Sequence, residues 1–151
     1  MKRISKDQYY LNIAKEVSKR STCLRRHYGA IIVKNDEIIA TGYNGAARGE
    51  SNCCDIYDSC PRSGKPHNSG DYSDCPAVHA EQNAIISASR KDMLGATLYL
   101  AGRDVVNNVD LESCEPCPIC KRMIKNAGID WIICPQDVAS KNFIDTDMLF
   151  R

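Results

Sequence analysis

Apolar residues along this chain recur at helical spacing in some segments and at strand spacing in others. Between residues 7 and 20 they lie three and four positions apart, which predicts an amphipathic helix. Two short apolar runs, 30–33 and 38–40, flank the polar segment 34–37 and predict a β-hairpin. Four further elements are predicted: helices over 78–90 and 118–126, and strands over 97–101 and 129–133. We therefore expect an α/β fold, with helices layered on one central sheet.

The length of the chain limits the number of domains. With 151 residues, 43% of them hydrophobic, the chain can bury one good core. No repeat or linker divides the sequence, so we expect residues 1–151 to form a single domain. The segment 137–151 carries no clear pattern.

Between about residues 43 and 76 the apolar periodicity disappears. Gly, Pro, Ser, Asn, Asp and Cys dominate this segment, and an apolar core cannot order it. A structureless segment of this length is uncommon in a compact domain unless something ties it down. The residues that could do so are four cysteines and one histidine: Cys53, Cys54, Cys60, Cys75 and His67. We expect a cysteine-rich loop that bound metal stabilises.

Composition also limits where the protein works. No apolar run approaches the roughly 20 residues that cross a bilayer, and the polar N-terminus lacks a signal-peptide pattern. We expect a cytoplasmic protein that has no membrane partner. In a reducing cytosol nine cysteines indicate metal binding more than disulfides, and their odd number fits a disulfide framework poorly.

Charge is distributed unevenly, although the net charge is only +1. Residues 1–34 carry nine Lys and Arg against two Asp and Glu, whereas the rest of the chain is mildly acidic. This basic start could steer an anionic ligand, or it could be a solvated helix face. The positive charge is too modest to indicate a nucleic-acid partner, and no stripe of basic and aromatic residues is present.

Two short motifs carry the candidate chemistry. His79-Ala80-Glu81 opens one predicted helix, and Pro116-Cys117-Pro118-Ile119-Cys120 opens the next. Histidine nitrogen and cysteine sulfur are zinc ligands, and a catalytic zinc site keeps its fourth position open for water. Because Cys117 and Cys120 are three residues apart, they share one face of a helical turn. With His79 they predict one catalytic Zn²⁺, and the nearby Glu81 carboxylate is the predicted proton carrier.

Each motif alone has a plainer interpretation. A single His-x-Glu is common, and a single Cys-x-x-Cys also occurs in structural zinc sites and redox pairs. Cys114 could close a structural zinc site as its fourth ligand. The two motifs together, each at the start of a predicted helix, favour catalysis.

The paired motifs resemble the signature of the zinc-dependent cytidine and deoxycytidylate deaminase superfamily, over about residues 5–135. Three upstream motifs are most similar to its deoxycytidylate branch: Ser21-Thr22-Cys23 before Gly29-Ala30, Thr41-Gly42-Tyr43-Asn44-Gly45, and Asn52-Cys53-Cys54-Asp55. The resemblance implies a three-layer α/β/α fold with a central mixed sheet of about five strands, and a homo-oligomer. It also implies hydrolytic deamination of a small-molecule nucleotide, dCMP, to dUMP and ammonia.

The resemblance gives the residues of the two motifs these roles: zinc ligands His79, Cys117 and Cys120, and proton shuttle Glu81. It also places Asn44 against the substrate sugar, although Asn-Gly is by itself an ordinary turn dipeptide. The backbone N–H groups of Ala80 and Cys117 could hold the reacting water and the base carbonyl. Arg25 or Arg26 could bind the 5′-phosphate, because guanidinium recognises phosphate through paired hydrogen bonds.

Many members of this branch bind a second, structural zinc in the long loop. The resemblance assigns its ligands by position: Cys23, Cys53 and Cys75, with Cys60 as the fourth and His67 or Cys54 as rivals. A closed cysteine site would replace the missing apolar core of the loop. Reduced thiols without a metal are the plainer alternative.

Two features depart from the branch. Residues 102–114 form a longer loop than the branch usually shows and would approach the active site, and Glu115 before Pro116 also occurs in tRNA-adenosine deaminases. Three alternative functions follow. The first is a deaminase of another small cytosine compound, such as cytidine, cytosine or a modified dCMP. The others are a nucleic-acid base deaminase and a non-catalytic scaffold that binds zinc or a nucleotide.

Overall fold

Five strands form one mixed sheet in the computed structural model, which describes residues 3–70 and 72–139. In chain order the elements are α1 (Lys6–Ser18), β1 (Arg26–Lys34), β2 (Glu37–Tyr43), β3 (Gly45–Ala46), α2 (Cys53–Ile56), β4 (Ala77–Val78), α3 (Ala80–Ile86), α4 (Arg90–Met93), β5 (Thr97–Asp104), β6 (Val109–Asp110), α5 (Pro118–Asn126), β7 (Trp131–Ile133) and α6 (Pro135–Ala139). Strand β1 lies between β2 and β5 and is antiparallel to both. Strand β5 also pairs with β6, antiparallel, and with β7, parallel. The expected central mixed sheet is confirmed.

Successive residues of the central strands contribute to two separate cores. In β1, Ala30 and Ile32 pack with residues of α3, α4 and α5, whereas Ile31 and Val33 pack with residues of α1. This division follows from the pleat, since neighbouring side chains of a strand point to opposite faces. Val138 of α6 packs on the same side as α1. The sheet therefore lies between two helical layers, as the α/β/α expectation requires. No helix within the described ranges has the length and apolarity to cross a bilayer.

The helix expected over 78–90 is two helices in the structure. Helix α3 ends at Ile86, and α4 begins at Arg90. The Ser89 hydroxyl oxygen accepts a hydrogen bond of 3.3 Å from the backbone N–H of Asp92, so Ser89 caps α4. Such a cap gives a hydrogen-bond partner to a free backbone N–H at the start of the new helix, and this competes with continuation of the old helix. By contrast, α5 has the predicted bounds.

Residues 102–114 are in part a β-hairpin and not only a loop. Strand β5 continues to Asp104 and then pairs with β6. The Asp104 carboxylate accepts a hydrogen bond of 3.1 Å from the backbone N–H of Asn107, which closes the turn between the two strands. Asp110 of β6 forms an ion pair with Lys15 of α1. Of the segment 137–151, which has no sequence pattern, residues 140–151 lie outside the described residues.

Gly42 allows α3 to lie directly on strand β2. A Cβ atom at this position would come within 2.4 Å of both the Ala80 carbonyl oxygen and the Ala84 amide nitrogen. These are backbone atoms of α3, which cannot move aside as a flexible side chain can. Contact between β2 and α3 therefore depends on the missing side chain.

We expect Gly42→Ala to lower the free energy of unfolding by about 3 kcal/mol, the upper end of the usual cost of overpacking. Urea unfolding followed by circular dichroism measures this change. Thr41→Ala is the matched control, because Thr41 is the exposed neighbour in β2, and we expect it to cost about 1 kcal/mol or less. Equal unfolding midpoints for the two variants would show that the close approach at Gly42 is unimportant.

Candidate active site

The two sequence motifs begin two helices whose first turns face one another. His79 precedes α3, and its backbone N–H donates a hydrogen bond of 2.9 Å to the side-chain oxygen of Gln82. Cys117 precedes α5, and its sulfur accepts a hydrogen bond of 3.4 Å from the backbone N–H of Cys120. The positive end of each helix dipole therefore lies at the candidate metal ligands, where it favours thiolates and anions.

The distances between the three candidate ligands fit a zinc ion. His79 Nδ1 lies 3.6 Å from Cys117 Sγ and 3.3 Å from Cys120 Sγ. In a tetrahedral site with ordinary zinc–nitrogen and zinc–sulfur bonds, the nitrogen and sulfur atoms are about 3.5 Å apart. Within residues 3–70 and 72–139, no other group of three or more His, Cys, Asp or Glu has ligand atoms that all lie within 4.8 Å of one another. Cys114 is not in this group, so the geometry does not favour a closed structural site.

Burial of this centre favours uncharged side chains. It lowers the pKa of His79, which keeps the imidazole neutral and able to bind metal. Burial also raises the pKa of the Cys120 thiol, and the nearby Glu81 and Cys117 raise it further. A divalent cation would reverse this effect, because it supplies the positive charge that two buried thiolates need. The donor set and its electrostatics thus both fit zinc.

Glu81 lies next to the candidate metal ligands with its side chain turned into the protein. The residue is only 5% exposed, and its carboxyl group lies near the Cys120 side chain. Burial raises the pKa of Glu81 above that of an exposed glutamate. A carboxyl group whose pKa lies closer to neutrality can both accept and release a proton during turnover.

Residues of both motifs line a cavity with about 720 Å³ of empty space, counting its open mouth. The cavity is lined by these residues predicted for the catalytic centre and the substrate: Arg25, Arg26, Asn44, His79, Ala80, Glu81 and Cys117. Three predicted ligands of the second zinc, Cys23, Cys60 and Cys75, also line it. The structure therefore brings the predicted substrate-binding residues to the same space as the candidate metal centre. No residue of 102–114 is among those that line it.

Asn44 holds the start of strand β1. Its side-chain oxygen accepts a hydrogen bond of 2.8 Å from the Tyr28 N–H, and its side-chain nitrogen donates one of 2.9 Å to the Arg26 carbonyl. A primary amide can make four hydrogen bonds, and these two use one donor and one acceptor position. Asn44 can thus fix the cavity wall and still contact a ligand.

The two adjacent arginines have different partners. Arg25 donates to the carbonyl oxygens of Arg62 and Lys65, at 3.2 and 2.7 Å, and so ties the cysteine-rich loop to the end of the sheet. Arg26 donates to the hydroxyl of Tyr28 at 3.0 Å. Since the guanidinium of Arg25 binds main-chain oxygens, Arg26 is the better candidate for an anionic ligand.

The loop supplies three further cavity residues that the sequence pattern did not indicate, Arg62, Asn68 and Tyr72. His67, which the sequence offered only as a possible zinc ligand, also lines the cavity. The Arg62 side chain is 3% exposed and lies over the Tyr72 ring, 3.8 Å from its centre. His67 Nε2 lies 3.2 Å from the Tyr28 hydroxyl, and burial together with nearby arginines lowers the pKa of His67 to about 4. An irregular segment offers no periodicity from which these positions could be recognised.

Four loop and strand-end cysteines lie near one another; Cys23, Cys53, Cys60 and Cys75 form what we call the cysteine cluster. Burial, together with the charges of the other three thiols, raises the pKa of Cys23 to about 12. The rivals point elsewhere, since His67 contacts Tyr28, and exposed Cys54 has its sulfur 3.9 Å from an Asp55 carboxylate oxygen. The placement thus favours Cys60 as the fourth member. The four sulfur atoms are spread more widely than the ligand atoms of the His79 group.

Comparison with known proteins gives consistent matches. The family model for the cytidine and deoxycytidylate deaminase zinc-binding region matches residues 4–135. The deoxycytidylate deaminase of Mycobacterium phage D29 is 38% identical over 143 residues, which covers 91% of this chain and 99% of that one. The deoxycytidylate deaminase of Schizosaccharomyces pombe is 34% identical over 134 residues, and the match spans 37% of its length.

A solved structure is also similar. The crystal structure of dCMP deaminase from the cyanophage S-TIM5, in complex with dCMP and dUMP, has a TM-score of 0.64 at 29% identity. The match covers 89% of this chain and 83% of that one. Because the region matched by the family model contains the sheet, helices α3 and α5 and all three candidate ligands, the chain belongs to the cytidine and deoxycytidylate deaminase family.

Proposed function

We propose that this protein is a zinc-dependent enzyme that hydrolyses dCMP to dUMP and ammonia. One observation supports this most strongly: His79, Glu81 and Cys117 line the same cavity as Arg26. A deaminase of a phosphorylated cytosine compound needs both, a hydrolytic centre for the base and a cation for the phosphate. The names of the relatives indicate the same substrate.

The residues of this chain have separate tasks in the proposed reaction. His79, Cys117 and Cys120 would hold a zinc ion, which lowers the pKa of a water molecule and so makes it a nucleophile. Glu81 accepts a proton from that water as its oxygen bonds to C4 of the base. Glu81 passes this proton to the ring nitrogen. It then takes the second proton from the new hydroxyl on C4 and gives it to the amino group, so that ammonia leaves as the C4–N bond breaks and the C4 carbonyl forms. The backbone N–H groups of Ala80 and Cys117 hold the water and the base carbonyl.

We assign the remaining polar groups of the cavity to the nucleotide. Asn44 contacts the sugar with the amide positions that strand β1 does not use. Arg26 binds the 5′-phosphate through its guanidinium. The cysteine cluster holds a second, structural zinc that orders the loop, with Cys60 as its fourth ligand.

We also propose that the protein works in the cytoplasm as a homo-oligomer. Nine free thiols suit a reducing cytoplasm. Ile86 on α3 and Ile119 on α5 are 71% and 50% exposed, which supports a homo-oligomer that covers them. Sedimentation equilibrium of the purified protein would give the number of subunits, and a monomer at all concentrations would contradict this part of the proposal.

Ammonia release from dCMP, CMP, deoxycytidine, cytidine and cytosine tests the substrate assignment. We expect the highest kcat/KM for dCMP. A preference for an unphosphorylated compound would favour the alternative, a deaminase of another small cytosine compound. If zinc binds and none of the five compounds reacts, the dCMP assignment is wrong, and a scaffold, a nucleic-acid base deaminase and a deaminase of a modified dCMP remain as alternatives.

Arg26→Gln should separate phosphate recognition from chemistry. Because hydrogen bonds to charged groups contribute about 1.5–3 kcal/mol, we expect KM for dCMP to rise about 10- to 100-fold, with kcat little changed. Turnover of deoxycytidine, which lacks the phosphate, should change much less. Arg48→Gln, at an exposed arginine outside the cavity, is the control. Equal losses of kcat/KM for dCMP and for deoxycytidine would show that Arg26 does not bind the phosphate.

A further inference from the structure

A continuous line of contacts joins the cysteine cluster to the histidine of the metal centre. The backbone N–H of Arg62 donates a hydrogen bond of 3.4 Å to Cys60 Sγ. The guanidinium of the same residue lies 3.8 Å from the centre of the Tyr72 ring. The Tyr72 ring in turn meets the His79 imidazole edge-on, with 5.7 Å between ring centres and 61° between ring planes. One residue of the cluster is thus three contacts away from His79.

Arg62 is held firmly enough to act as a support. It is 3% exposed, its guanidinium donates a hydrogen bond of 2.6 Å to the Ser69 carbonyl, and its own carbonyl accepts the bond from Arg25. A cation over an aromatic face is attracted by the ring, and this interaction is stronger when the cation is removed from water. The Tyr72 ring is therefore fixed between Arg62 and His79.

The His79 imidazole needs such a constraint. The hydrogen bond between its backbone N–H and Gln82 fixes the main chain, but it does not fix rotation of the ring. The second side-chain torsion of histidine is broad, so packing decides which ring atom faces the metal ligands. The structure has Nδ1 toward the sulfur atoms of Cys117 and Cys120. Residues that orient a metal-binding histidine commonly affect metal affinity 10- to 100-fold.

We propose that Tyr72 is a positioning residue for His79, and that Arg62 holds it in place. The cysteine-rich loop then does more than close the cavity, because the state of its cysteine cluster reaches the metal centre through Cys60, Arg62 and Tyr72. This inference rests on the proposed metal site. It does not depend on which cytosine compound is the substrate.

Zinc affinity of the His79 centre tests the role of Tyr72 directly. Zinc binding is measured by titration in competition with a chromophoric chelator. Zinc that the wild type binds and Cys120→Ser does not is assigned to the His79 centre. We expect Tyr72→Leu to weaken that zinc 10- to 100-fold and to shift the thiolate-to-metal absorption bands of the cobalt-substituted protein. Tyr72→Phe keeps the ring and should stay within about twofold of the wild type. Tyr57→Leu, at a 43% exposed tyrosine of the same loop, should change neither readout.

A merely structural role for Tyr72 predicts a different result. Tyr72→Leu would then unfold at lower urea concentration, yet the folded protein would have wild-type zinc affinity and cobalt bands. That result would overturn the proposal, even if dCMP were turned over. Conversely, the wild type could fail to act on dCMP while Tyr72→Leu binds zinc more weakly than the wild type. The positioning role would then hold, and the substrate assignment would fail.

Two further variants keep the test decisive if Tyr72→Leu does not fold. Arg62→Gln leaves the tyrosine in place and removes its support, and Cys60→Ser alters the far end of the line. We expect both variants to lower the zinc affinity of the His79 centre several-fold. Cys54→Ser, which lies outside the cysteine cluster, should leave this affinity unchanged. Unchanged zinc affinity and cobalt bands in both variants would overturn the coupling.

Discussion

Replacement of Glu81 by Gln is expected to reduce dCMP turnover about 100- to 10,000-fold, which is the usual contribution of a positioned proton carrier. Glutamine has nearly the same shape, but its amide cannot accept a proton from water and release it to the base. Glu81 is not among the three residues whose ligand atoms converge, so we expect the zinc content to stay at the wild-type level. Ammonia release and metal analysis of the same preparation measure both effects.

Glu112→Gln is the control for this substitution, because it removes an exposed carboxylate that does not line the cavity. It should leave kcat and KM unchanged. Near-normal turnover by Glu81→Gln would mean that another group moves the proton. Loss of both the bound zinc and the turnover would mean that Glu81 supports metal binding.

Replacement of Cys120 by Ser is expected to remove zinc from the His79 centre and reduce turnover to background. A hydroxyl does not replace a thiolate, and Cys120 is fully buried, so water cannot readily substitute for the lost ligand. We expect the loss of zinc affinity to exceed the 10- to 100-fold that follows loss of a group supporting a ligand. Zinc titration and ammonia release are the two measurements.

Cys54→Ser is the matched control, since Cys54 is exposed and lies outside both the His79 group and the cysteine cluster. It should retain wild-type zinc and turnover. Full activity of Cys120→Ser with zinc still bound would show that the three candidate ligands do not form the catalytic site.

The parts of the fold that local signals specify could be predicted from the sequence. Pro118 at the first turn and Gly128 after the last turn enclose α5, whose observed bounds agree with the prediction. The hairpin of β1 and β2 was predicted from apolar runs around a polar turn, and residues 35 and 36 have the positive φ angles that such a turn requires.

Other features depend on contacts that local pattern does not encode. The break between α3 and α4 is set by the Ser89 cap, whereas the apolar spacing runs straight through it. Arg25 and Arg26 cannot be told apart by type, and only the path of the loop gives Arg25 its two carbonyl partners. Similarly, the contacts of Tyr72 with Arg62 and His79 depend on the path of the loop over the cavity.

The three candidate ligands could be recognised because zinc-binding residues follow known spacing patterns. The cavity residues that the loop contributes could not, since a long irregular loop can contact the sheet in many ways. Residues 102–114 illustrate the same point. Pairing of β6 with the end of β5 and the ion pair to Lys15 hold the hairpin part of this segment, whereas Cys114 at its end lies near Glu81 and Arg26 without lining the cavity.

Incubation of the zinc-loaded protein with dCMP, with the products separated and quantified, tests the proposed reaction most directly. We predict that dUMP accumulates with one ammonia for each dCMP consumed, and that a chelator stops the reaction until zinc is restored. Unchanged dCMP in a folded sample with zinc at the His79 centre and Glu81 intact would contradict the proposed function.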